Sequence, residues 1–148
     1  MLDIEKILLE WQSDSVINDN KLDQTSVNTA KLHAKYLQWL SLAKLQLKKA
    51  QMNQKSLLKD KWLYYNGKMS QDEIKLRGWD YDPFDGLKVM KNDMQLFFNS
   101  DEDLQKAKAK IEYLKVTIDF LKECMQNITW RHQTIKNTID WRKFMAGQ

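Results

Sequence analysis

Turn-forming residues are scarce in this chain. Its 148 residues include four glycines and one proline. A sandwich or barrel reverses direction too often for that supply, so the all-β classes are excluded. Cysteine is nearly absent as well. Cys124 stands alone, which rules out an intramolecular disulfide and fits a reducing compartment. Its place among apolar residues makes it a helix-packing residue. No run of about 18 apolar residues exists, so no membrane-spanning helix is expected. The start, "MLDIEKILLEWQ", mixes acids with its apolar residues and lacks a basic head, unlike a signal peptide.

Catalytic punctuation is missing too. There is no GxxxxGK[ST] phosphate loop, no GxSxG elbow and no Cys–His nucleophile pair. His33 and His132 fall in different helical segments, and neither has metal-site spacing. His132 reads as a register or packing residue. Asp72, Glu73, Asp80, Asp82 and Asp85 read as a polar, turn-forming loop, and no second ligand cluster supports a metal nuclease site among them. The expectation is a binding protein with no cofactor, not an enzyme.

What remains favours long helices. Hydrophobic residues make up 43% of the chain, and Leu, Lys, Gln and Ala are frequent. The pattern predicts one all-α domain over residues 1–148. A short amphipathic helix over residues 2–12 would bury Leu2, Ile4, Ile7, Leu8 and Trp11. A long one runs from an N-cap at Thr25 or Ser26 to Tyr65, stopped by Asn66-Gly67. The weakly patterned Gln51–Ser56 could host a kink. Residues 66–86 hold Gly67, Gly78, Pro83 and Gly86, an irregular connector with room for a short hairpin. A short helix is predicted over residues 87–98.

The last segment, residues 100–146, has the strongest pattern. Ser100 is the expected N-cap, with Asp101, Glu102 and Asp103 opposing the positive helix end. Apolar positions then recur at alternating spacings of three and four. Ile111, Leu114, Ile118, Leu121, Met125, Ile128, Ile135 and Ile139 lie on this grid, which resembles a coiled-coil seam. A second apolar set, including Val116, Phe120, Trp130, Trp141 and Phe144, lies off it. A surface that wide predicts self-assembly above the dimer through this helix. Packing against the 25–65 helix would claim part of it.

Charge is unevenly placed. Residues 1–20 carry a net of −4, residues 21–68 a net of +8, and residues 69–148 balance. Such asymmetry fits a polyanion or an acidic partner. A lysine-rich solvated face would give the same count. On a helical wheel Lys44, Lys48, Lys55 and Lys59 fall within about 60° of one another, and Trp62 ends the stripe. Lys61 projects to the opposite, apolar side, together with Tyr64 and Tyr65. The stretch "SLLKDKWLYYNGK", closing with Lys68, thus combines ammonium groups with aromatic rings. Ammonium groups track a phosphate backbone, and an aromatic face stacks an unpaired base. A duplex keeps its bases stacked. The chemistry points to single-stranded nucleic acid, with Lys44, Lys48, Lys55, Lys59, Lys61, Trp62, Tyr64, Tyr65 and Lys68 as candidate contacts. The alternative is a structural or adaptor coiled-coil oligomer without DNA binding. The run "GWDYDPFDG", with Trp79, Tyr81 and Phe84 among acids, is a candidate partner-docking surface.

The segment Leu58-Lys59-Asp60-Lys61-Trp62-Leu63-Tyr64-Tyr65-Asn66-Gly67 resembles the Leu-Lys-x-Arg-x-x-Tyr-Tyr-x-Gly motif of the UvsY family, recombination mediators of T-even-type phages. The C-terminal "IKNTIDWRKFMAGQ" is similar to the end of that family. The resemblance implies a non-enzymatic mediator that binds single-stranded DNA, loosens single-strand DNA-binding protein, and loads a RecA-like recombinase of the UvsX type. It also implies a hexamer or heptamer ring in the cytoplasm of the infected bacterial host. Lys59 and Lys61 inherit the DNA-contact role by position. Lys61 stands where the family motif has Arg, and Asp60 sets a carboxylate between the two lysines.

Overall fold

The computed structural model describes residues 1–148. Five α-helices follow in order: α1 (Ile4–Asp14), α2 (Leu22–Tyr65), α3 (Gln71–Arg77), α4 (Met94–Ser100) and α5 (Glu102–Met145). A 3-10 turn, Lys91–Asp93, precedes α4, and no strand is present. The all-α expectation holds, and α2 is one helix through Gln51–Ser56.

Local signals set most of the ends. Asp3 caps α1, its carboxylate accepting from the N–H groups of Glu5 and Lys6. At the end of α2, the Gly67 N–H donates to the Tyr64 carbonyl and the Lys68 N–H to the Leu63 carbonyl. This paired closure needs a left-handed residue, and Gly67 supplies it with φ +69°. The connector forms α3 and not a hairpin. The Ser70 hydroxyl caps its start, Gly78 at φ 69° closes its end, and Ile74 is buried in between. The N-cap of α5 also differs from expectation. Ser100 is the last residue of α4, with its hydroxyl turned back to the carbonyls of Leu96 and Phe97. Asp101 takes the cap, accepting from the Leu104 N–H at 3.0 Å.

The chain divides into two compact units, residues 1–46 with 114–148 and residues 47–113. In the first unit the core is built on Ile7 of α1, Tyr36, Leu40 and Ala43 of α2, and the α5 seam. Leu114 and Leu121 are 0% exposed and Ile128 1%. Trp11 and Trp39 each meet the Tyr36 ring edge-on at 5.2 Å. The Tyr36 hydroxyl donates to Asp14 at 3.0 Å, and Lys35 pairs with Glu10 and Asp14. Arg131 donates to the carbonyls of Asp14 and Val16, where a cation meets the negative end of α1.

The chain itself covers most of the α5 seam. Leu114, Ile118, Leu121, Ile128 and Ile135 are buried within one chain, as is Ile111 in the second unit, and Met125 is half-buried. A heptad grid states that a partner exists but not which one. Here the chain's own α1 and α2 supply it. Of the eight seam positions only Ile139, at 39%, keeps an exposed side chain.

In the second unit the core is aromatic. Tyr64, Tyr65, Met69 and Ile74 are buried, with Trp79, Phe84, Phe97 and Phe98 packed against them. Tyr64 meets Trp79 edge-on at 5.0 Å, and Phe84 meets Phe97 the same way at 4.9 Å. Such geometry matches ring edges to faces. Trp79 and Phe84 are therefore core residues, and Tyr81 alone of the "GWDYDPFDG" aromatics is widely exposed.

Candidate nucleic-acid interface

Helical position sorts the mixed stretch at the end of α2 into two sets. Lys61, Tyr64 and Tyr65 point inward; Lys59, Trp62 and Lys68 point outward. The inward set is engaged in hydrogen bonds and ion pairs within the fold. The Lys61 ammonium lies 2.9 Å from Asp101 and 3.0 Å from Asp103, and its side chain is 5% exposed. It also sits 3.9 Å from the centre of the Trp79 ring. The Tyr65 hydroxyl donates to Asp101 at 2.7 Å, and that of Tyr64 to the Asp80 carbonyl. Burial pushes both phenols above their ordinary range, and the Asp101 carboxylate adds to the rise at Tyr65. Burial also acts to raise Asp101. The hydrogen bonds from Tyr65, the Leu104 N–H and Lys61 outweigh it and hold that carboxyl below its usual value. Lys61 is thus the counter-ion of a buried carboxylate. Lys61, Tyr64 and Tyr65, counted above among the contact candidates, are interior residues.

The outward set keeps its surface. Lys48, Lys55, Lys59 and Lys68 are exposed in the second unit, and Lys44 is exposed in the first. None of these five ammonium groups forms an ion pair. Asp60, which would weaken the field of Lys59, is paired with Arg77 at 3.0 Å. The two charges that follow Lys59 in the motif, Asp60 and Lys61, are thereby paired with other partners. Trp62 is 46% exposed, and the Lys68 ammonium lies 4.6 Å from its ring centre. The left-handed turn at Gly67 brings Lys68 back over that ring.

Beside Trp62 lies a groove of about 690 Å³, lined from α2, α4 and α5. Leu58, Trp62 and Phe98 give it apolar walls, and Lys59 and Lys108 contribute ammonium groups. Its other polar residues are the four amides Gln54, Gln95, Asn99 and Gln105, and no carboxylate lines it. Lys108 and the amides of α4 and α5 escaped the sequence reading. The alternation "QKAKAK" at 105–110 marks a basic face there, but only the fold brings Lys108 beside Trp62.

At the far end of α5, in the first unit, large apolar residues are exposed among charged ones. Trp130 and Trp141 are each 61% exposed and Phe144 69%, with Trp141 and Phe144 stacked at 5.7 Å. No group of three or more His, Cys, Asp or Glu side chains is arranged to hold a metal ion. No helix is long and apolar enough to cross a membrane.

Comparison with known proteins places the chain among relatives along its whole length. Residues 10–148 match the profile of the family described as recombination, repair and ssDNA binding protein UvsY. The recombination protein uvsY of Enterobacteria phage T4 is 26% identical over 145 residues, 98% of each chain. A crystal structure of the bacteriophage T4 recombination mediator protein UvsY superposes with a TM-score of 0.80 at 25% identity, covering 99% of both chains. A second crystal form gives 0.79 at 24% identity, covering 95% of this chain and 98% of the other.

Proposed function

Because the chain belongs to the UvsY family of recombination, repair and single-stranded-DNA-binding proteins, we propose that it is a recombination mediator. It binds single-stranded DNA and loads a RecA-like recombinase onto strands covered by single-strand DNA-binding protein. It acts in the cytoplasm of the infected bacterial host. The observation that supports this most is the sorting of α2. Lys44, Lys48, Lys55, Lys59 and Lys68 form no ion pair, while Asp60 is engaged by Arg77 and Asp101 and Asp103 by Lys61. An adaptor needs no such arrangement.

The mechanism is physical. Lys44, Lys48, Lys55, Lys59 and Lys68 meet phosphates, and Trp62 meets a base. One protomer makes a weak site. A closed hexamer or heptamer ring repeats it and turns weak contacts into avidity. The exposed aromatic end of α5, with Ile139, Trp141 and Phe144, is the surface through which copies associate, in place of the buried seam. A strand held along the ring is extended or bent. That disfavours the competing single-strand binding protein and presents the strand to the recombinase.

The test is binding to oligo-dT by fluorescence anisotropy. Replacing Lys55 and Lys59 by Ala should weaken binding by tenfold or more, on the scale of about 1.4 kcal/mol per decade, with particle mass unchanged. Unchanged affinity would overturn the assignment of this face.

A further inference from the structure

Resting on the single-strand reading above, we infer that the groove between α2, α4 and α5 seats one unpaired nucleobase on Trp62, with Lys59 and Lys108 holding the flanking phosphates. Three observations carry this. The first is composition: two ammonium groups and no carboxylate line the groove. Its charge therefore suits an anionic strand and repels nothing in it.

The second is the indole. Trp62 follows the buried Lys61 and precedes the buried Tyr64 and Tyr65, yet its own ring is 46% exposed at the groove wall. Leu58, on the preceding helical turn, is 43% exposed, and Phe98 adds a second ring. An apolar wall of this kind is open to water unless a flat partner covers it. A base has two π-faces and fits such a wall, whereas a bare phosphate gains nothing from it.

The third is the polar lining. Gln95 donates to Asn99 at 3.1 Å, and Gln105 donates to the Asn99 carbonyl at 3.0 Å. These bonds hold the α4 and α5 amides in place. Each amide still carries further donor and acceptor capacity. Donors and acceptors together meet the edge of any base, so the seat is tolerant of sequence. Lys68, which covers the indole ring in the free protein, exchanges that contact for a phosphate when a base stacks.

The experiment compares oligo-dT with an abasic strand of equal length, which has the same phosphates and no bases. The wild-type protein should bind the abasic strand at least about fivefold more weakly, the lower end of the stacking range. Trp62→Leu should bind both strands alike. Lys108→Ala should lower affinity for both and flatten the salt dependence by about 0.7 in log–log slope. Equal wild-type binding to both strands, with dependence on Lys59 retained, would overturn the base seat and leave the single-strand reading standing. No binding to either strand would overturn that reading itself. Circular dichroism and particle mass of Trp62→Leu should match wild type. If they do not, Trp62→Phe, which keeps a stacking face, must restore discrimination, and its failure to do so also overturns the seat.

Discussion

At the scale of single residues, two neighbouring lysines divide the work. Lys61 belongs to the fold and Lys59 to the surface. Removing one partner of a buried ion pair leaves an uncompensated charge, at a cost of about 3–5 kcal/mol. Lys61→Ala strands Asp101 in this way and uncovers Trp79. Its melting temperature should fall by roughly 10 °C, with any loss of DNA binding following the loss of structure. Lys59→Ala should keep the wild-type melting temperature and lose affinity, and calorimetry beside anisotropy separates the two. Asp101 predicts the pH dependence. Its carboxyl titrates below its ordinary value in the folded chain. Its contribution is complete at neutral pH and is lost as the pH falls below about 4 through the lowered folded value. Asp101→Asn should flatten the acid limb of a plot of stability against pH. Cys124 is a packing residue, and burial pushes its thiol up to about 12. Thiol reagents should leave it unmodified in the folded protein and label it in denaturant, as mass spectrometry would show.

At the scale of elements, the sequence carried the order of the helices well, their starts less well (α2 begins at Leu22, ahead of the expected cap at Thr25 or Ser26, and α4 spans Met94–Ser100 where 87–98 was expected), and their partners poorly. The α2 wheel placed Lys61, Tyr64 and Tyr65 on the core side, and they are there. The Asn66-Gly67 stop is where the helix ends, because left-handed geometry there nearly demands glycine. The N-cap of α5 slipped by one residue, since Ser100 and Asp101 are both good caps and only tertiary contact with Tyr65 and Lys61 decides between them. The seam was read correctly as apolar, with its partners left divided between other copies and the chain's own long helix, because periodicity does not record which surface fills it. Lys108 was missed because a groove formed by three elements has no signature in any one of them. The proposed assembly surface sets where a truncation should abolish assembly. Ending the chain near Ile128 would remove Arg131, whose guanidinium binds the end of α1, and the buried Ile135. Ending it after Thr138 keeps both and removes Ile139, Trp141 and Phe144. Analytical ultracentrifugation of that form should find folded protomers that no longer assemble.

At the scale of the whole molecule, the account rests on unpaired ammonium groups meeting phosphates. Each phosphate neutralised on a single strand contributes about −0.7 to the slope of log affinity against log salt. Four of the exposed lysines of the second unit, Lys48, Lys55, Lys59 and Lys68, contribute about −3 to that slope. The direct test is the affinity for oligo-dT across a salt series, for wild type and for the form with Lys48, Lys55 and Lys59 replaced by Ala. A steep wild-type slope that flattens by about 2 in the triple variant is the predicted result. A shallow wild-type slope, or a steep one that the three replacements leave untouched, would contradict the account.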